Sequence, residues 1–275
     1  MEYYNLIGLV QEPFSTTPDP DFFYRSREHK ECLYRLEISL RLQRGLSVIL
    51  GNVGTGKTTL CRTFIKILQD SNDEFLFRLI LDPTFGSEFQ FLTSLIELFD
   101  IPETPHSTLE CRNILQNFLY QKVVVEKKTP VLIIDEGQKL TPSYIESLRV
   151  LLNYETNKQK MLQLVIFAQH EFLHRLKKQN NFYDRINMGY VINPLNESDT
   201  QSLIEFRLKK AGLDGDLNLF ADDAIHEIYL YTQGYPRRII TVCHDALIEM
   251  LRQEKEQVDL PLIRGLIQDR KQWNI

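Results

Sequence analysis

The sequence has few cysteines, no long apolar run and no excess of basic charge, and each absence excludes a class of protein. Its four cysteines lie far apart, with no C-x-x-C pair of the kind that indicates a structural zinc site. No apolar run approaches the ~18 residues that cross a bilayer, and the N-terminus lacks the basic stretch of a signal peptide. A net charge of −5 argues against a dominant nucleic-acid surface. We therefore expect a cytoplasmic protein with reduced thiols and no membrane span.

A glycine-rich stretch follows a short apolar run and precedes a helical pattern. Its residues are Gly51, Asn52, Val53, Gly54, Thr55, Gly56, Lys57, Thr58 and Thr59. They match G-x-x-x-x-G-K-[ST] in full, which predicts a loop whose N–H groups surround a phosphate at the start of a helix. Lys57 would contact the β- and γ-phosphates of ATP, Thr58 would bind Mg²⁺, and Thr59 would help to hold the α-phosphate. The alternative is a flexible glycine turn before an ordinary helix.

A second apolar run, residues 130–134, ends in two carboxylates, Asp135 and Glu136. Such a run predicts a strand buried on both faces, so that the acids emerge at the edge where ligands of open α/β sheets bind. Asp135 would orient Mg²⁺ through water, and Glu136 would be the base that polarises the attacking water. The alternative is a strand that ends in a solvated acidic turn.

The order of apolar and helical stretches predicts an α/β fold with a second, helical part. The predicted strands are the one before Gly51 and residues 75–81, 130–134, 162–168 and 188–192. Because helical stretches separate them, we predict a five-stranded, doubly wound parallel sheet. Beyond Pro194 the patterns are helical only, beginning with a capping box at Ser198–Gln201 and ending with a helix at 262–273.

We predict three parts from these patterns. Residues 1–26, rich in proline and aromatic residues, would form an ordered strap packed across the main domain. Residues 27–193 would form the α/β nucleotide-binding domain, and residues 194–275 a small all-helical lid domain.

Several motifs along the chain together resemble the AAA+ ATPases, and more narrowly the ATPase module of the general secretion pathway protein A group. They are Gly8-Leu9, Pro13-Phe14-Ser15, Thr17-Pro18-Asp19-Pro20, Tyr24, Ser26, His29, Gly51 to Leu60, Ile134 to Gln138 and Pro236 to Ile239. The resemblance implies an ATPase that binds Mg-ATP, forms homo-oligomeric rings or other assemblies, and remodels a protein partner of a secretion or envelope machine. Fuller members of that group continue into a transmembrane helix and a peptidoglycan-binding domain, which are not found in these 275 residues. Gly137 stands where the group's pattern leads us to expect alanine.

The resemblance also implies roles for three residues outside the two main motifs. Gln169, at the end of the fourth strand, would be the sensor 1 residue, the alternative being an amide in solvent. Arg185 would be an arginine finger that reaches the neighbouring subunit's γ-phosphate, the alternative being a surface salt bridge. Arg237 would be the sensor 2 residue of the lid, with Arg238 as a second choice.

One motif points elsewhere, because residues 170–174 match the zinc-peptidase pattern H-E-x-x-H. If they are helical, His170 and His174 share a face, as zinc ligation requires. We interpret the match as accidental, since it directly follows Gln169 at the predicted nucleotide edge of the sheet.

Two other functions remain open from the sequence. The chain also resembles the transposition ATPases of the MuB and TniB type, which would make it an ATP-dependent DNA-binding regulator. Its basic residues would support DNA binding, namely Lys177, Lys178, Arg207, Lys209, Lys210, Arg237 and Arg238. The acidic net charge opposes it, since counterion release on DNA needs clustered cations. The other possibility is a nucleotide-gated scaffold that binds ATP and scarcely hydrolyses it.

Overall fold

The computed structural model describes residues 3–71, 74–157, 159–213 and 218–272. The strands and α-helices of these residues are α1 (Arg27–Arg41), β1 (Leu46–Gly51), α2 (Lys57–Ser71), β2 (Phe75–Ile80), α3 (Glu88–Leu98), α4 (Thr108–Tyr120), β3 (Thr129–Ile134), α5 (Pro142–Leu152), β4 (Gln163–Ala168), α6 (Glu171–Lys177), α7 (Asn180–Tyr183), β5 (Ile186–Ile192), α8 (Glu197–Lys210), α9 (Asp222–Thr232), α10 (Pro236–Arg252) and α11 (Leu260–Gln272). Among them, no helix is both long enough and apolar enough to cross a bilayer.

The chain divides into two compact units. The sheet unit consists of Glu28–Val53 and Leu60–Ile192, and the helical unit of Met1–Arg27, Gly54–Thr59 and Asn193–Ile275. The outer boundaries of the sheet unit lie close to those expected for the nucleotide-binding domain, but the helical unit also contains the strap and part of the glycine-rich loop. The division into a 27–193 domain and a 194–275 lid therefore stays a prediction.

The strands of the sheet unit form one parallel sheet, in the order β2-β3-β4-β1-β5 over the described residues. Every residue of β1, β3 and β4 is buried, as expected where helices cover both faces of a parallel sheet. The outer strands β2 and β5 contain both buried and more exposed residues. The predicted five-stranded parallel sheet is confirmed.

The hydrogen-bond register of the sheet brings three strand ends to one edge. Ile134 of β3 lies opposite Ile166 of β4, and Ala168 of β4 lies opposite Leu50 of β1. Because neighbouring parallel strands end on the same side of a sheet, the residues that follow β3, β4 and β1 emerge at one edge. That edge is the place where both sequence motifs were expected to meet.

The helical unit has its own apolar core, formed by α8 to α11. Pro236 is the first residue of α10, and α8 does not begin at the predicted capping box. Its N-cap is Asn196, whose side chain accepts a hydrogen bond from the Asp199 N–H at 2.7 Å. An asparagine amide reaches this N–H as well as a serine hydroxyl does, so the helix starts two residues earlier than expected. Within the described residues α11 ends at Gln272, and Trp273, the predicted end, lies outside them.

Apolar side chains of the strap lie in the core of the helical unit, and its packing across the main domain stays a prediction. Leu9, Phe14 and Phe22 are buried in the same apolar cluster as the C-terminal helices. Phe14 makes an edge-on contact with Phe220, with 5.9 Å between the ring centroids. The strap is too short to form a core of its own, so its aromatic side chains complete one formed by helices distant in the sequence.

A buried arginine fixes the strap to α8. Arg207 is 5% exposed, and its Nη1 donates to the carbonyl oxygens of Pro13 at 3.0 Å and Ser15 at 3.1 Å. Its guanidinium also lies 5.6 Å from the centre of the Phe22 ring. Burial lowers the pKa of Arg207 to about 10, and the side chain still carries its charge at neutral pH. Arg207, which was among the possible DNA contacts in the sequence, is therefore a buried residue that holds the strap to α8.

Candidate nucleotide-binding site

The glycine-rich loop connects β1 to α2, as the motif predicts. Strand β1 ends at Gly51 and helix α2 begins at Lys57. Asn52 and Val53 are exposed, whereas Thr55 and Lys57 are 1% and 7% exposed. A lysine buried to this extent at a helix start is typical of a side chain with a defined anionic partner.

Arg237, the predicted sensor 2 residue, lies against this loop within the helical unit. Its backbone N–H donates to the Gly54 carbonyl oxygen at 3.2 Å. A Cβ built on Gly54, whose φ is +83°, would lie 3.2 Å from the Arg237 Cβ. Arg237 and Arg238 follow Pro236 in the first turn of α10, and both are exposed. The Arg238 guanidinium lies 5.0 Å from the Tyr235 ring centre. The choice of Arg237 as the sensor 2 residue stays a prediction.

Asp135 and Glu136 follow β3 at the shared edge of the sheet. Asp135 is 2% exposed and accepts a hydrogen bond from the Glu136 N–H at 2.9 Å. Burial raises the pKa of the Cys61 thiol in α2, and the nearby Asp135 carboxylate raises it further. Asp135 is therefore close enough to Cys61, in the second turn of α2, to influence its thiol. Glu136 has φ 53° and ψ 37°, a left-handed conformation that is rare for residues other than glycine.

Gly137 is packed tightly against β4, which explains why this chain lacks the expected alanine. A Cβ at this position would lie 2.3 Å from Ile166 Cγ2 and 3.2 Å from Ala168 Cβ. Both neighbours belong to a fully buried strand, so a Cβ there would require the core to repack. Glycine lets the chain pass close to β4 directly after Glu136.

Gln138 joins the ends of β3 and β4, a role that sequence analysis did not assign. Its side chain lies between the Glu136 carboxylate and the backbone of Gln169. Gln169 itself directly follows β4 and is partly exposed, as expected of a residue at the sheet edge. In the sequence, the one feature that could indicate this role is an amide side chain two residues after the acidic pair.

Arg185 lies at the opposite edge of the sheet. It precedes β5, whose first residue Ile186 pairs with Leu46 at the start of β1, whereas Ile192 pairs with Gly51 at its end. Six residues of strand span ~20 Å. Arg185 is partly exposed, and its Nε donates to the Asn181 carbonyl oxygen at 3.1 Å. Within the sheet unit it therefore lies far from Asp135 and Glu136.

Comparison with protein families identifies the chain. The family model described as the AAA domain matches residues 40–176, which run from the end of α1 to α6 and contain both motifs. The chain is an AAA+ ATPase.

Known proteins resemble this AAA+ ATPase along most of its length. It is 32% identical over 249 residues to general secretion pathway protein A of Aeromonas hydrophila, covering 90% of this chain and 44% of that protein. The chain thus spans less than half of the length of this relative. Among solved structures, Cdc6p from Pyrobaculum aerophilum superposes with a TM-score of 0.68 at 16% identity, over 91% of this chain and 69% of that one. The ADP form of the Aeropyrum pernix ORC2 protein gives a TM-score of 0.69 at 15% identity, over 93% and 71%. These structures show the same fold.

The H-E-x-x-H match of the ATPase lies on a short helix. Helix α6 starts at Glu171, His170 is its N-cap residue, and both His170 and His174 are exposed. In the described part of the chain, no group of three or more His, Cys, Asp and Glu side chains is placed to hold a metal ion. A zinc site at this helix would therefore have two protein ligands, fewer than catalytic zinc takes.

Replacing Gly137 with alanine tests the close packing beside Glu136. We expect Gly137→Ala to lower the free energy of unfolding by about 1–3 kcal/mol, because Ile166 has to shift within a filled core. The matched control is Gly189→Ala in β5, where a Cβ would lie 4.0 Å from its nearest neighbour, Ile186 Cγ2. Urea unfolding followed by circular dichroism measures both. Equal midpoints for the two variants would contradict the packing.

Proposed function

We propose that this AAA+ ATPase forms homo-oligomers and uses the binding and hydrolysis of Mg-ATP to assemble or remodel a protein partner in a secretion or envelope system. The observation that carries the proposal is the meeting of the ends of β3, β4 and β1 at one edge of the sheet. It supports a site in which a carboxylate base lies near a phosphate-binding loop.

The residues of the two motifs take the following roles in this proposal. The loop Gly51–Thr59 surrounds the phosphates, Lys57 contacts the β- and γ-phosphates, and Gln169 and Arg237 respond to the γ-phosphate. The Glu136 carboxylate accepts a proton from water as the water oxygen attacks the γ-phosphorus. The bond between that phosphorus and the β–γ bridging oxygen breaks, which releases ADP and phosphate.

Mg²⁺ suits the donors that these motifs offer. Thr58 lies in the first turn of α2, and Asp135 is a buried carboxylate beside the same helix. Mg²⁺ takes oxygen ligands, and in phosphate sites it uses one or two protein groups together with water and phosphate oxygens. We propose that Thr58 holds it directly and Asp135 through water. When bound, Mg²⁺ offsets the negative charge of the phosphates.

Loss of the two central side chains should separate binding from turnover. Lys57→Ala should abolish nucleotide binding, whereas Glu136→Gln should bind ATP and lower kcat by about 100-fold or more. A fluorescent ATP analogue measures binding, and phosphate release measures turnover. Lys66→Ala, on an exposed part of α2, is the control for loss of a lysine and should keep both activities. Turnover by Glu136→Gln equal to that of the wild type would exclude Glu136 as the base.

The position of Arg185 supports a site shared between two subunits. An arginine whose backbone lies ~20 Å from the far end of the sheet in its own subunit is too distant to contact a phosphate bound at that end, but it can be presented to a neighbouring copy. An arginine finger supplied in this way accelerates phosphoryl transfer by about three orders of magnitude or more. The homo-oligomer would then be a requirement of the chemistry.

Mixing two inactive variants tests this sharing. Arg185→Ala and Glu136→Gln should each be nearly inactive alone, and turnover should reappear when they are mixed. In the mixed oligomer an intact Glu136 of one subunit meets an intact Arg185 of the other. Arg252→Ala, on an exposed ion pair of α10, is the control and should keep its own activity. A mixture as inactive as its components would refute the shared site.

The secretion role rests on the similarity to general secretion pathway protein A, of which the chain covers 44%. The DNA-binding alternative gains no particular support from the solved structures, which are alike in fold at 14–17% identity. We propose that the ATPase acts in the cytoplasm and reaches the inner membrane through its partner.

Trapping the ATP-bound state should identify the partner class. Glu136→Gln loaded with ATP should retain a secretion or envelope protein from a lysate of its own cells, whether or not nuclease is present. Lys57→Ala, which cannot load ATP, is the control and should retain none. Recovery of DNA that depends on ATP and falls steeply with salt would instead favour the DNA-binding alternative.

A further inference from the structure

Gln138 occupies a buried position between two residues of the candidate site. It is 9% exposed, and its Nε2 donates a hydrogen bond to Oε2 of Glu136. Its Oε1 accepts a hydrogen bond from the Gln169 backbone N–H at 3.1 Å. The side chain therefore joins the acid after β3 to the end of β4.

The direction of the amide group follows from its two neighbours. A backbone N–H can only donate, so the oxygen of the Gln138 amide must face Gln169. The NH₂ group is then directed to the Glu136 carboxylate, which when ionised can only accept. The Gln138 amide therefore has one orientation. Its hydrogen bond to an ionised carboxylate is stronger than a hydrogen bond between two neutral groups.

The backbone around Gln138 is held from two sides. The Arg175 guanidinium of α6 donates to the carbonyl oxygens of Gln138 and Leu140. Gly137 packs on β4, where a Cβ would meet Ile166. The left-handed Glu136 turns the chain so that two side chains two residues apart can meet, in a conformation that costs free energy for a residue with a side chain. Surrounding contacts must offset this cost, as is typical of functional sites.

We propose that Gln138 is a positioning residue for ATP hydrolysis. It holds Oε2 of the Glu136 carboxylate, so that Oε1 is the oxygen that takes the proton from the attacking water. Because its other end is bound to the backbone at Gln169, a movement at the end of β4 reaches the carboxylate through Gln138. This inference rests on the proposed function, in which Glu136 is the base.

Gln138→Glu tests the proposal with the smallest change in shape. The variant keeps an oxygen acceptor for the Gln169 N–H but replaces the donor with a carboxylate that faces Glu136. We expect kcat to fall by about 10- to 100-fold, since a displaced reactive group costs that much. The KM for ATP should stay within about threefold, because the phosphate-binding loop is untouched. Gln116→Glu, on the exposed side of α4, is the control for the added charge and should leave both constants unchanged.

A second set of variants keeps the test valid if Gln138→Glu folds poorly. Gln138→Asn retains the amide but is one methylene too short to span both partners, and should show the same fall in kcat. The double variant Glu136→Gln with Gln138→Glu exchanges donor and acceptor. It should regain the thermal stability lost in Gln138→Glu without regaining turnover, which distinguishes the contact from its catalytic use.

Three outcomes would overturn the inference. The first is wild-type kcat in Gln138→Glu and Gln138→Asn, and the second is a change confined to KM. The third is a double variant no more stable than Gln138→Glu, which would show that the two side chains do not interact. In each of these outcomes the proposed function would still stand if the wild type hydrolyses ATP and Glu136→Gln does not. A wild type without ATPase activity would refute the proposed function and the role of Gln138 together.

Discussion

The register of three parallel strands is the constraint on which the site depends. Ile134 lies opposite Ile166, and Ala168 lies opposite Leu50, so the residues that follow β3, β4 and β1 emerge within about two residues of one level. These strands are completely buried, and a slip of one residue would turn their side chains to the opposite face of the sheet. The same strand register therefore buries the apolar side chains of the sheet and places the acidic pair at its edge.

The connection between Glu136 and Gln169 shows how a rigid sheet can place a single carboxylate. Gly137 allows close contact with β4, Arg175 binds the carbonyl groups of the following turn, and Gln138 spans the remaining gap. None of these contacts involves Asp135, which is buried beside α2. The two neighbouring acids thus have different surroundings, which suits their different proposed roles.

The helical unit depends on a different interaction. Arg207 is an ion in an apolar core, where hydrogen bonds offset part of the cost of removing a charge from water. Among the described residues its Nε has no hydrogen-bond partner, whereas its Nη1 donates to the carbonyl oxygens of Pro13 and Ser15 in the strap, and the guanidinium lies near the Phe22 ring. The proline-rich part of the strap suits this use, because residues 13–15 lie in no helix or strand and their carbonyl groups are available to a side chain.

The sequence by itself determined the features that rest on neighbouring residues. Buried parallel strands are recognisable as apolar runs, the loop between β1 and α2 by its glycines and lysine, and the start of α5 by Thr141 and Pro142, its cap and first residue. The five-stranded sheet followed from these local patterns, and the AAA+ class from the resemblance of the motifs to that family. The role of Gln138 could not be predicted from local patterns, because it requires the left-handed turn at Glu136 and the register with β4. The packing of the strap could not be predicted either, since Arg207 lies 194 residues from Pro13. Contacts between distant segments depend on which buried groups need partners, and only the tertiary structure decides that.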